Sequence, residues 1–245
     1  MPKRIISLVP SLTELLFDLG LMDGVIGRTR FCIHPAEKVQ NVDIIGGTKN
    51  PRIDKIRDLK PDLVIANKEE NRKEDVEAIQ EFSEVIVTDI STIEDALFAM
   101  HHIANRVNAD EKGTKLIEQI LSILPEPNRF SEINAAYFMW KDPWMSVGGD
   151  TYIHDVMQTF GLRNVFQDSE RYPTITLDQL KSANPELILL SSEPYPFKEK
   201  HIAELKEILP NSNIQLVDGE WFSWYGSRML PSFKELSKWR NQLSI

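Results

Sequence analysis

Leu59-Lys60-Pro61-Asp62-Leu63-Val64-Ile65 and Ala183-Asn184-Pro185-Glu186-Leu187-Ile188-Leu189 are two versions of one phrase, 124 positions apart. Each ends a helical segment, turns at a proline that cannot continue a helix, and passes through one acidic residue into an apolar run. The run Leu63–Ala66 does not alternate with polar residues, which is the pattern of a strand buried on both faces of a parallel sheet. The echo extends further: Glu69 lies eight residues after Pro61 and Glu193 eight after Pro185, and both segments lead through helices to strands ending near Asp89 and Asp218. Two copies of one lobe plan follow from this internal repetition.

Working outward, Ile5–Val9 reads as a strand closed by Pro10, and Ser11 or Thr13 as the cap of a helix over Leu15–Leu19 that Gly20 ends. Val25–Gly27 is a second strand, with the loop Arg28–Pro35 leaving it. A helix is expected over 53–59, another over 73–82, and a strand over 84–88; strands alternating with helices imply parallel βαβ units. From Thr92 to about Leu124 the periodicity is helical with only Gly113 as a break, and Pro125 and Pro127 end it. Alternation then resumes with strands near 135–139, 187–190 and 214–217, helices over 153–160, 177–183 and 198–209, and a last helix from about Ser232. The expected organisation is an N-terminal lobe over 1–91, a helical connector over 92–126 and a C-terminal lobe over 127–245.

The 245 residues suffice for two modest cores, and 42% hydrophobic with 27% charged residues is ordinary for a globular chain. A net charge of −9, with no block of Lys or Arg, argues against nucleic acid as a partner. The single cysteine, Cys32, excludes an intrachain disulfide and leaves the compartment open. The N-terminus shows no export signal, and no run is apolar over the ~18 residues a membrane span needs.

Phosphate-cradling glycine loops, a Gly-x-Ser-x-Gly elbow and His-Glu-x-x-His are all missing. Gly148-Gly149-Asp150 reads as a turn before a helix. His101-His102 point about 100° apart on a helix and cannot jointly grip one metal. Cys32 and His34 share a face of an extended segment, which leaves either a packed cysteine with a loop histidine or a ligand contact. More informative are aromatics in loops that follow strands: Trp140 and Trp144, then Trp221, Phe222, Trp224 and Tyr225. In open parallel sheets ligands bind beyond the carboxyl ends of strands, where such rings either stack on a flat ligand or pack in the core. Arg28, Arg30, Lys49, Lys68, Lys141 and Arg228 occupy the same kind of loop, as solvated charges or as donors to an anionic edge.

With these residues assembled, the chain resembles, over essentially its full length, the periplasmic binding proteins of ABC importers for iron-siderophores, haem and cobalamin. The resemblance lies in Arg4–Leu15, Leu59–Ala66, Trp144–Gly149 with the helix after it, and Glu220-Trp221-Phe222. It implies two Rossmann-like lobes with mainly parallel sheets joined by a long helix, a metal chelate held between them, no enzymatic step and no cofactor beyond that ligand. It also implies an ABC permease partner, met by one surface glutamate per lobe, here Glu74 and Glu199, a monomeric state, and a periplasmic location at odds with the N-terminus. The resulting ligand set is Arg30, Lys49, Trp140, Trp144, Trp221, Trp224, Tyr225 and Arg228, with no metal ligated by the protein. Where the resemblance would align first-lobe aromatics of cobalamin binders, this chain has Gly46 or Gly47 and Asn67. A cytosolic chelate carrier or sensor on the same fold, and an enzyme using Asp142, Asp150 or Glu220, are the other readings.

Overall fold

The computed structural model describes residues 4–243; Met1, Pro2 and Lys3, part of the stretch read for an export signal, lie outside the described residues. Two compact units form. One comprises residues 4–90, 94–122 and 225–230, the other residues 91–93, 123–224 and 231–243.

The first unit alternates β1 (Ile5–Ser7), α1 (Pro10–Asp18), β2 (Val25–Arg28), α2 (Ala36–Val39), β3 (Asp43–Ile44), α3 (Ile53–Asp58), β4 (Leu63–Asn67), α4 (Lys73–Gln80) and β5 (Glu84–Thr88). Its sheet has the order β3-β2-β1-β4-β5 with every pair parallel. All five residues of β4 are buried, as the unalternated apolar run requires, and Ile6, Leu8, Ile45, Ile56, Val64 and Ile79 make the core around it. Burying each such side chain contributes about 1.5–3 kcal/mol. Ser11 and Thr13 are not caps. Proline at the first helical position lets α1 begin directly after β1, so both hydroxyls turn inward and Thr13 donates to the Val9 carbonyl at 2.8 Å.

The second unit contains β6 (Ile133–Phe138), α7 (Tyr152–Thr159), β7 (Leu162–Asn164), α8 (Leu177–Ala183), β8 (Leu187–Ser191), α9 (Glu199–Ile208), β9 (Asn213–Val217), α10 (Glu220–Ser223) and α11 (Met229–Gln242), whose first residues belong to the first unit. Its parallel sheet has the order β7-β6-β8-β9. Strands β3 and β7 escape sequence reading because at two and three residues they are too short for any periodicity to register.

The internal echo survives to the level of single hydrogen bonds. Lys60 and Asn184, each preceding the proline, take left-handed φ of 46° and 43°. Asp62 accepts from the Arg4 amide and Glu186 from the Asn134 amide, both at 3.1 Å. Ser83 donates to the Pro61 carbonyl at 3.2 Å and Ser212 to the Pro185 carbonyl at 2.7 Å. In both units the acid anchors the start of the neighbouring strand, and the serine closes the turn behind it.

The long helical stretch is two helices, α5 (Ile93–Arg106) and α6 (Asp110–Leu121). The break falls at Asn108, at φ 57°, a residue type that tolerates the left-handed conformation ending a helix. Gly113 instead lies inside α6, where an added Cβ would meet the Ala104 Cβ of α5 at 2.4 Å. The apolar stripe runs through the break because both helices carry one, and that hid the corner from the sequence. Gly113→Val is expected to lower stability by about 1–3 kcal/mol through overpacking, read as a shift in the urea midpoint at constant slope.

Candidate functional site

Strand order determines where each unit can hold a ligand. In the first unit the order reverses between β1 and β4, and in the second between β6 and β8; ligand crevices of open parallel sheets lie beyond the carboxyl ends of such strands.

In the first unit Asn71 ties three loops together, its Nδ2 donating to the Thr48 carbonyl at 3.0 Å and the Leu8 carbonyl at 3.4 Å. Asn67, at the end of β4, organises the loop that follows it. Its Oδ1 accepts from the Glu69 and Glu70 amides at 2.8 and 3.2 Å, and its Nδ2 donates to Thr88 Oγ1 at 3.0 Å. Lys49 is exposed and donates to the Glu69 carbonyl at 2.5 Å. Arg30 is exposed, and its amide donates to the Gly46 carbonyl at 2.9 Å.

Other basic residues singled out from the sequence are matched within the fold. Arg28 belongs to β2 rather than to the loop after it. Its buried guanidinium donates to the carbonyls of Val39 at 2.7 Å, Cys32 at 3.1 Å and Thr29 at 3.2 Å. Lys68 pairs with Asp89 at 2.6 Å, and Lys141 lies 3.2 Å from Glu204. Arg228 holds Glu14 with both arms of its fork, Nε to Oε2 at 2.8 Å and Nη2 to Oε1 at 2.5 Å. Burial pushes the Glu14 carboxyl up, against the opposing pull of Arg228. Tyr225, buried beside this segment, belongs to the first unit as well.

Cys32 is buried with its sulfur 3.1 Å from Thr13 Oγ1 and 3.2 Å from Thr29 Oγ1, and burial raises its pKa, so it stays a thiol. His34 is half-buried. No group of three metal-ligating side chains forms among the described residues.

In the second unit the aromatics divide. Trp144 is in the core, edge-on to Phe138 at 5.2 Å and stacked on Phe197 at 5.7 Å, with the Lys141 ammonium 5.0 Å from its ring centroid. Trp224 is buried and its indole N–H donates to Glu193 Oε1 at 2.7 Å. Trp221 is half-buried on α10, next to the fully buried Phe222. Trp140 alone of these is exposed, at 40%, and meets Tyr195 edge-on at 5.7 Å. Trp140 follows β6 and Tyr195 follows β8, so the pair flanks the reversal point. Tyr195 was missed from sequence; its signal was an aromatic directly after Ser192-Glu193-Pro194 in the loop leaving a buried strand. Gly148 and Gly149 lead into the turn before α7, as expected from the sequence, and they also serve close backbone approach. Their amides donate to the Arg171 and Ser169 carbonyls, and any Cβ would fall within 2.3 Å of a backbone oxygen.

The carboxylates considered for acid–base work have other settings. Asp142 is exposed beside Lys141, Asp150 accepts from the Arg171 amide at 2.6 Å, and Glu220 is half-buried in the first turn of α10. Glu193 is raised above the usual carboxylate range by burial, against the lowering hydrogen bonds from Trp224 and Ser223.

Two expectations follow. Trp144→Ala should cost about 3–5 kcal/mol of stability, and Trp140→Ala under about 1 kcal/mol, in parallel urea titrations. For Glu193, the folded chain holds the proton more tightly than the unfolded one. Its ionised form therefore destabilises the fold increasingly as pH rises from the ordinary carboxylate range through the raised folded pKa, and fully above it. Relative to wild type, Glu193→Gln should gain stability as pH rises above the ordinary carboxylate range and then level off in thermal unfolding, and a pH-independent difference would contradict this.

The description "periplasmic binding protein" matches residues 5–210. Among curated relatives, a vitamin B12-binding protein of Vibrio campbellii (strain ATCC BAA-1116) is 24% identical over 243 residues, covering 96% of this chain and 88% of the relative. An uncharacterized ABC transporter substrate-binding lipoprotein of Bacillus subtilis (strain 168) is 26% identical over 201 residues, covering 77% and 63%. The fold matches the periplasmic vitamin B12-binding protein of Vibrio cholerae at TM-score 0.83 and 18% identity, over 98% of this chain and 97% of that one. It matches the apo periplasmic haem-binding protein of Roseiflexus sp. RS-1 at TM-score 0.83 and 18% identity, over 98% of each. With a family match over most of its length on a two-unit parallel α/β fold, the chain belongs to the periplasmic binding protein family, a family of substrate-binding proteins rather than enzymes.

Proposed function

We propose that this protein captures a metal chelate, whether ferric siderophore, haem or corrinoid, on its strand-end loops and delivers it to the permease of an ABC importer. The observation that carries the reading is the Trp140–Tyr195 pair, an exposed aromatic edge at the strand-order reversal of the second unit. Exposing a tryptophan there costs burial free energy that a flat or bulky apolar ligand recovers on binding. Trp221 on α10 adds a half-exposed ring, and Arg30 and Lys49 add cationic donors on the first unit. Trp144, Trp224, Tyr225 and Arg228 support the loops from beneath, since their faces or donors are committed within their own units.

Glu74, in the first turn of α4, and Glu199, at the start of α9, are exposed and stand at corresponding helix starts of the two units. They are the proposed contacts for permease arginines. Among the described residues no helix is long and apolar enough to cross a membrane. The protein is proposed to act as a monomer outside the cytoplasmic membrane, as the solved structures of Vibrio cholerae and Roseiflexus sp. RS-1 that share its fold are described as periplasmic.

Titration of the purified protein with hemin, ferric siderophores and cyanocobalamin, followed by tryptophan quenching, should give at least one complex with Kd near about 1 μM or tighter. Trp140→Ala should weaken that complex about tenfold while lowering the thermal midpoint by no more than about 4 °C. Silence toward every chelate would overturn the reading.

A further inference from the structure

We infer that the first unit selects a chelate with an apolar face and a carboxylate edge, through Phe31 and Ile33 beneath the ligand and Arg30 and Lys49 at its rim; this rests on the chelate-binding reading above. Phe31 is 53% and Ile33 50% exposed, on either side of a cysteine with no exposure at all. Such a loop could tuck its apolar residues away if it were slack, but it is held from below. Arg28 donates to the carbonyls of Thr29 and Cys32, the Thr29 hydroxyl accepts from the Phe31 amide at 3.3 Å, and the Cys32 sulfur is fixed between Thr13 and Thr29. Thr29–Cys32 is a turn, the Cys32 amide donating to the Thr29 carbonyl at 3.2 Å, and with Thr29 and Cys32 pinned inward Phe31 at its apex and Ile33 after it are left on the outer side. The apolar surface is thus preorganised, which spares a ligand the entropic cost of ordering it.

The neighbouring backbone leaves room. A Cβ on Gly47 would lie 3.4 Å from the Phe31 ring, so glycine there leaves the ring an uncrowded flank. The Arg30 amide bond to Gly46 brings this loop against the loop that carries Lys49. Of the strand-end cations, Arg30 and Lys49 are the exposed ones without a carboxylate partner. No hydrogen bond or ion pair engages the Arg30 guanidinium among the described residues, and Lys49 is bonded to a neutral carbonyl. A guanidinium and an ammonium beside an apolar platform match carboxylates on the edge of a planar body, and gain little from a ligand whose carboxyls are amidated.

The test compares hemin, hemin dimethyl ester, cyanocobalamin and a ferric catecholate siderophore by fluorescence titration. Hemin should bind about tenfold tighter than its ester. The double variant Arg30→Glu, Lys49→Glu should erase that difference, and Phe31→Ala should weaken hemin and ester alike. Circular dichroism melts of each variant establish that the fold is retained, and Ile33→Ser serves in place of Phe31→Ala if the latter does not fold. Equal affinity for hemin and its ester, tighter binding of cyanocobalamin or the siderophore, or unchanged affinity in the apolar variant would each overturn the inference while leaving a chelate-binding protein. Silence toward all four ligands would overturn both.

Discussion

Parallel pairing of β4 on β1 and of β8 on β6 is the constraint on which the rest of this structure depends. A parallel pair cannot be closed by a tight turn, so every connection must travel back across the sheet, here mostly through helices that cover its faces. All strands of a sheet then end at one edge, and the loops leaving that edge are free of the core's packing demands. Because chain order reverses between these two central strands in each unit, their outgoing loops diverge and leave room between them. Asn67 and Asn71 occupy that position in one unit, Trp140 and Tyr195 in the other.

The strand-end edge is built from polar side chains that serve mainly to hold loops. Arg28 is buried against three carbonyls, Asn67 gathers two amides and a hydroxyl, and Arg228 is locked to Glu14. Buried donors and acceptors are costly when unmatched, so these interactions fix loop conformations more than they add net stability. Against that framework a few exposed groups, Arg30, Lys49, Phe31 and Trp140, stand out as surface rather than scaffold.

Much of the fold was legible in the residues. The proline phrase marked the two central strands, and β5 and α8 fall where their patterns put them. The same phrase carries its acid anchor and its buried strand into both units, because proline and an unalternated apolar run each have a strong local preference, whereas the left-handed φ at Lys60 and Asn184 appears only in the folded chain. Corners without such preferences were not legible. The helix break at Asn108 was masked by an apolar stripe continuing on both sides, and β3 and β7 are too short to show a period.

By itself the sequence determined the α/β class, the doubled lobe plan and which loops leave the strands' carboxyl ends, since these follow from local periodicity and repeated turn chemistry. Only the tertiary structure decided which aromatics and cations in those loops are surface. Trp140 and Trp144 are four residues apart in one loop, yet Phe138 and Phe197 enclose one while the other stays half open. Arg28 and Arg30 are two apart, yet one is consumed by carbonyls brought from elsewhere in the chain. Burial depends on neighbours distant in sequence, and no residue type or spacing reports which of two like side chains those neighbours will cover.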